Sequence, residues 1–154
     1  MKRIFIISLI FTLTICSVFC IPANATETAQ TTTTIEYLDN GDYIETIITY
    51  YETNARVATK SGSKTANHKN SDGDIMWSVT VNGTFTYNGT TSSCTSVSRS
   101  TSAPGTNWSI KSSSCSRSGN CASATATATC KGVLSSRDYT ETVNLYCSPY
   151  GILS

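Results

Sequence analysis

"IMWSVTVNGTFTY", residues 75–87, is the stretch that decides the fold. Its odd positions carry Ile75, Trp77, Val79, Val81, Phe85 and Tyr87, while its even positions carry mostly Ser, Thr and Asn. A strand sends successive side chains to opposite faces, so this alternation predicts a strand with one buried face. Asn82-Gly83 offers a competing two-residue hairpin. That turn would set Val81 opposite Thr84 and Val79 opposite Thr86, splitting the apolar residues between two faces. One long strand bent at Gly83 keeps them together and is the reading adopted.

Downstream, Asn88-Gly89 makes a turn that sets Phe85 opposite Ser92 and Gly83 opposite Cys94. Pro104-Gly105 suits the central positions of a type II turn. A hairpin there brings Cys94 directly across from Cys115, the placement a cross-strand disulfide requires. Such a bridge is worth on the order of 3 kcal/mol. Trp108 and Cys115 then fall on opposite faces of a regular strand, so either a β-bulge intervenes or the bridge lies away from Trp108. "CASATATATC", residues 121–130, also alternates strictly. Ala122, Ala124, Ala126, Ala128 and Cys130 share one face, and that small-residue face admits a closely packed second layer filled by Trp77 or Trp108. The last strand is "YTETVNLYC", residues 139–147, with Tyr139, Val143, Leu145 and Cys147 on one side.

Upstream, "TIEYLDNGDYIETIITYYE" reads as two strands around Asn40-Gly41. A two-residue turn there sets Tyr37 opposite Ile44 and Glu36 opposite Glu45. Residues 54–73 hold three lysines, two glycines and little apolar material, and read as a long surface loop or irregular edge. Residues 26–34 lack a core-forming pattern and read as a flexible lead-in. Short strands, Asn-Gly and Pro-Gly turns and the absence of a helical period define an all-β antiparallel domain over residues 35–154. A two-layer β-sandwich, Ig-like in general architecture and disulfide-containing, is preferred to a closed barrel.

Residues 1–25 have the three parts of a secretory signal peptide. Lys2 and Arg3 form the positive start, an uncharged apolar run follows from Ile4 to Ile21, and Pro22 breaks it. Ala23 and Ala25 stand at the −3 and −1 positions, so cleavage falls between Ala25 and Thr26. A retained anchor competes, since about 18 apolar residues reach across a bilayer. The small-residue site and the polar segment after it favour cleavage. Localisation is therefore expected to be secreted and extracellular, with membrane contact only through the transient signal peptide.

Eleven basic and ten acidic side chains give the whole chain a formal charge of +1. Lys2 and Arg3 leave with the leader, so nine stand against ten and the charge becomes −1. That balance argues against a nucleic-acid binder, which would normally carry a basic patch. Seven cysteines become five: Cys94, Cys115, Cys121, Cys130 and Cys147. In an exported chain these are disulfide candidates before they are metal ligands or nucleophiles. Two bridges leave one thiol over, and spacing alone allows Cys147 to pair with either Cys121 or Cys130.

The chemistry-bearing residues are few. His68 is the sole histidine, and a hydrolase would need it held between a carboxylate and a serine. It lies in a polar stretch without a nucleophile-elbow pattern, so it reads as a solvated loop residue. Asp72 and Asp74, with Asp39 and Asp42, lack the calcium-loop spacing and read as turn carboxylates. No catalytic residue, metal ligand or cofactor is implied. Trp77 reads as core, whereas Trp108, beside a turn, is the aromatic that exposure would fit for binding.

"SGSKTANHKNSDGDIMWSVTVNGTFTYNGTTSSCTS", "NWSIKS", "SRSGNCASATAT" and "VNLYCSPYGILS" together resemble a family of small exported proteins of clostridial-type Gram-positive bacteria, a domain of unknown function. The resemblance covers residues 35–154 and is most specific from Trp77 to Gly89, with Cys147 and Gly151. It implies export and an all-β fold, and it brings no catalytic residues. It also implies that Cys94 and Cys147 are the regular cysteine positions and pair with each other, in competition with the Cys94–Cys115 bridge.

The expected role is that of a non-catalytic extracellular interaction module whose partner is a glycan or a protein. A secreted antimicrobial or toxin-like effector is the alternative, and a hydrolase using His68 stands last. Mass spectrometry of protein recovered from the medium is expected to find Thr26 as the first residue. Recovery with residues 1–25 attached would contradict the export reading.

Overall fold

The computed structural model describes residues 28–52 and 58–154. Ala23, Ala25 and Thr26 lie outside the described residues, as does the stretch at 53–57. Eight strands follow in chain order: β1 (Thr28–Tyr37), β2 (Tyr43–Glu52), β3 (Thr59–Lys69), β4 (Ile75–Tyr87), β5 (Ser92–Ser102), β6 (Trp108–Ser118), β7 (Cys121–Lys131) and β8 (Ser136–Tyr146). They form two antiparallel sheets, β1-β2-β3-β4-β5 and β6-β7-β8. Every sheet neighbour is also a chain neighbour, so both sheets are meanders and neither carries the long return connection of a Greek key.

β4 is a single strand, and its alternation decides what is buried. Trp77, Val79, Val81 and Phe85 are fully enclosed. Facing them is β7, whose Ala122, Ala124, Ala126 and Ala128 are likewise enclosed. Bulky rings on one layer and methyl groups on the other fill the inter-sheet space without overlap. Val143, Leu145 and Cys147 extend this core on the β8 side, and Leu153 closes it through a bridge to Cys147. The outer faces carry rows of hydroxyls, and Thr125–Thr142, Thr127–Thr140 and Thr65–Thr80 pair across strands at 2.8, 2.9 and 2.8 Å.

Several sequence expectations are corrected. Residues 28–34 are not a flexible lead-in but most of β1, which pairs with β2 over its whole length. Residues 59–69 are not a loop but β3, the neighbour of β4. Lys60, Gly62 and Lys64 stand at its inward positions, and only the adjacent Ala66 and Asn67 are buried. At the first hairpin only Gly41, at φ 85°, has the left-handed conformation. The Gly41 N–H donates to the Leu38 carbonyl and the Leu38 N–H to that of Asp42. This is a three-residue loop with a G1 bulge, not a two-residue type I′ turn. The register consequently moves by one, pairing Tyr37 with Tyr43, Glu36 with Ile44 and Ile35 with Glu45.

The turn at Asn88-Gly89 is present but longer than read, because Asn88 Oδ1 accepts from the N–H groups of Thr90 and Thr91. Phe85 therefore pairs with Cys94, and a bulge in β5 sets Gly83 opposite Val97. The Pro104-Gly105 segment is not a hairpin turn. It carries the chain from one sheet to the other, with Asn107 at φ 68° in the left-handed position. Cys94 and Cys115 thus belong to different sheets, and Cys115 pairs with Ala124. A bulge at Lys111 does return Trp108 and Cys115 to one face.

If the alanine face is fitted to the rings opposite, enlarging it must strain the core. Ala124→Leu is expected to lower unfolding free energy by about 1–3 kcal/mol in urea titration. An unchanged midpoint would mean that the two faces are not in close contact.

Candidate functional site

A cleft of about 220 Å³ opens between the sheets at the end marked by the Asn40-Gly41 loop. Its floor follows from the alanine strand. Trp108 on β6 and Tyr139 on β8 flank β7, where Cys130 and Ala128 are their cross-strand partners. Ala128 is too small to separate them, so the rings meet across the strand at 5.1 Å with a 43° tilt. Trp108 is half-buried and Tyr139 is 37 % exposed. The sheet-to-sheet crossing fixes the indole. The Gly105 N–H donates to the Met76 carbonyl at 3.0 Å, and the Trp108 N–H to that of Gly105 at 3.1 Å. A side chain at position 105 would meet Met76 Cα at 2.8 Å, which makes glycine the residue that permits this approach.

The opposite wall is polar. Asn40 Nδ2 donates to Asp42 Oδ2 at 2.7 Å, and the Asp42 N–H returns to Asn40 Oδ1 at 3.2 Å. This pair holds the first loop as one rim, with Ile44, His68 and Lys69 behind it. Lys69 is committed to Glu45 at 2.9 Å on the outer face. Its ammonium holds the Glu45 carboxyl below the usual carboxylate range, and the carboxylate raises the Lys69 amine in return.

His68 is not a solvated loop residue. It lies on β3, stacked on Trp77 with ring centroids 4.3 Å apart and planes 15° from parallel. Its Nε2 is 3.4 Å from Glu141 Oε2 on the other sheet, yet without hydrogen-bond alignment. Among the described residues, no serine or threonine hydroxyl is hydrogen-bonded to it. Asp72 and Asp74 belong to the β3–β4 turn, where their N–H groups both donate to Asn70 Oδ1. Among the described residues, no three histidine, cysteine or carboxylate side chains converge as metal ligands.

The cysteines are spread over both ends. Cys130 pairs with Trp108 at the cleft, and Cys115 sits mid-strand with Arg99 Nη1 at 3.9 Å from its sulfur. Cys94 and Cys147 point into the same core at the far end and are buried, whereas Cys121 is half-exposed beside them. The Cys94 N–H donates to Gly119 O at 2.7 Å and the Cys147 N–H to Asn120 O at 3.0 Å, so one turn anchors both. No two of the five sulfurs stand at bridging distance. Burial pushes the Cys94 and Cys147 thiols up.

Of the residues singled out from the sequence, Trp108, His68 and Asp42 line the cleft, and Cys130 is the cross-strand partner of Trp108. Tyr139 was legible only as a core-facing position, and Asn40 and Asp42 only as turn residues. Comparison with protein-family models, with curated proteins and with solved structures finds no match.

In fully reduced protein, iodoacetamide at about pH 8 is expected to modify Cys115, Cys121 and Cys130 well before Cys94 and Cys147. Equal labelling of all five in the folded state would contradict the burial of the last two.

Proposed function

We propose that this chain is an exported, non-catalytic binding module that takes one sugar unit of an extracellular glycan into the Trp108 cleft. The observation that carries the reading is the pairing of an aromatic floor with an uncharged or hydrogen-bonded polar rim. Sugar rings present apolar C–H faces to aromatic side chains and hydroxyls to amides and carboxylates. Trp108 and Tyr139 suit the first requirement, and Asn40 and Asp42 suit the second. The absence of a hydroxyl nucleophile on His68, among the described residues, favours binding over hydrolysis.

The scaffold is read as a β-sandwich, with the two sheets as its layers and an Ig-like architecture only in that general sense. Export supplies an oxidising environment. There Cys94 and Cys147, the two most buried thiols and both directed into one core, are the pair we assign to a bridge. Cys115, mid-strand with Arg99 Nη1 beside its sulfur and away from the turn that anchors Cys94 and Cys147, is not a partner in this scheme.

Screening the mature protein on an immobilised glycan panel, followed by calorimetry with the best hit, tests the reading. Trp108→Ala is expected to weaken binding at least about tenfold, the scale of a central aromatic contact. Tyr150→Ala, at a residue 76 % exposed and remote in sequence from the cleft, is expected to leave it unchanged. A protein that binds no glycan, or binds equally well without Trp108, would contradict the proposal.

A further inference from the structure

A sheet edge presents unpaired main-chain groups, and folded chains screen it with charges, proline, bulges or a covering segment. Among the described strands, three of the four edges are screened. The β5 and β6 edges lie against each other, where Arg99 Nε donates to Ser113 Oγ at 2.8 Å and Arg117 Nη1 to the Cys94 and Thr95 carbonyls at 2.8 Å. The β8 edge carries Arg137, Asp138 and Glu141 and ends under the C-terminal segment. There Ser154 exchanges both main-chain hydrogen bonds with Tyr146, at 2.9 and 3.1 Å. β1 has none of these devices. It pairs with β2 alone, in unbroken register, and carries one charge, Glu36, and no proline. Every side chain from Ala29 to Tyr37 is exposed, Ile35 at 51 % and Tyr37 at 75 %. Among the described residues, nothing hydrogen-bonds to its outward main chain.

Which groups face outward follows from the first hairpin. The Leu38 N–H donates to the Asp42 carbonyl at 2.9 Å, and successive antiparallel pairs alternate between bonded and non-bonded. Glu36, Thr34, Thr32 and Gln30 therefore bond to β2, while Ala29, Thr31, Thr33, Ile35 and Tyr37 turn their N–H and carbonyl groups away from it. We propose that the β1 edge is the docking surface for a second copy of this chain, whose own β1 pairs with it antiparallel about a two-fold axis at Thr33. The choice of occupant rests on self-complementarity. The five outward residues are symmetric about Thr33, so Ala29 meets Tyr37 of the second copy, Thr31 meets its Ile35, and Thr33 meets its Thr33. Each free group finds a partner, as an isologous interface requires. Bulky side chains fall opposite small ones, and Glu36 falls opposite Gln30, so no like charges face each other. The two larger sheets then join into one continuous sheet with both inner faces on the same side.

Sedimentation velocity of the mature protein between about 5 and 500 µM is expected to show monomer giving way to dimer. Hydrogen exchange is expected to slow with concentration at Thr31, Thr33 and Ile35 and to stay constant at Thr32 and Thr34. An edge position whose N–H faces solvent accepts proline, so Thr33→Pro is expected to keep the monomer's unfolding midpoint. It is expected to weaken association at least about tenfold, because two hydrogen bonds at the axis are lost. Thr33→Lys and Thr33→Glu each set like charges across the axis. Their equimolar mixture is expected to associate at least about fivefold more tightly than either variant alone. A chain still monomeric at the highest concentration, a dimer indifferent to Thr33→Pro, or lysine and glutamate variants that form no mixed dimer overturns the proposal. Trp108→Ala is expected to leave the dimer intact, and Thr33→Pro to leave glycan binding intact, so each reading fails independently of the other.

Discussion

The contact between the bulky face of β4 and the alanine face of β7 is the constraint from which the remaining structure follows. Trp77, Val79, Val81 and Phe85 bring volume, and four alanines bring access. Neither sheet could bury its inner face alone, and each has the shape the other lacks. The chain is poor in charge, and its exterior is covered by hydroxyl rows that pair across strands. Hydrophobic burial is therefore concentrated in one narrow interface. It decides where the layers meet, and so where the space between them opens.

The cleft is a consequence of that interface. At the end of β7 the alanine row gives way to the flanking rings of Trp108 and Tyr139, which close over Ala128. Across from them, β3 and the first hairpin loop bring polar groups, with His68 stacked on Trp77 as the link back to the core. The five-stranded sheet is wider than the three-stranded one, and β2 contributes only the partly buried Ile44, Ile48 and Tyr50 at the core margin.

Much of this was legible in the residues, and what was missed has identifiable causes. The alternations in 75–87 and 121–130 were decisive because one face of each strand is buried at every second position. β3 escaped notice because its inward positions include Lys60, Gly62 and Lys64, which break the apolar pattern that identifies a strand. The 28–34 part of β1 escaped because it is almost wholly threonine and glutamine, whereas its end at Ile35–Tyr37 was read as a strand. Registers failed where loop length was inferred from a dipeptide: Asn40-Gly41 signals a turn, but the hydrogen bonds of Leu38 make it a three-residue loop. The supposed hairpin at Pro104-Gly105 failed for a topological reason, since a turn signal does not say whether the chain returns to its own sheet. Trp108 was recognisable beside that turn. Tyr139, Asn40 and Asp42 were not, because only the sheet-to-sheet approach brings them together.

The complementarity of β4 and β7 is most directly tested at Phe85 and Ala122. A methyl group placed on Gly83 would lie 2.7 Å from the Phe85 ring and 3.0 Å from Ala122 Cβ, so both flank one point of the interface. A double-mutant cycle of Phe85→Ala with Ala122→Leu, read by urea unfolding, measures their coupling. The cavity left by the first change should receive the bulk added by the second. The double variant is then expected to be more stable than the sum of the single effects by about 0.5–3 kcal/mol. Strict additivity, within about 0.3–0.5 kcal/mol, would contradict a core built on the fit of these two strands.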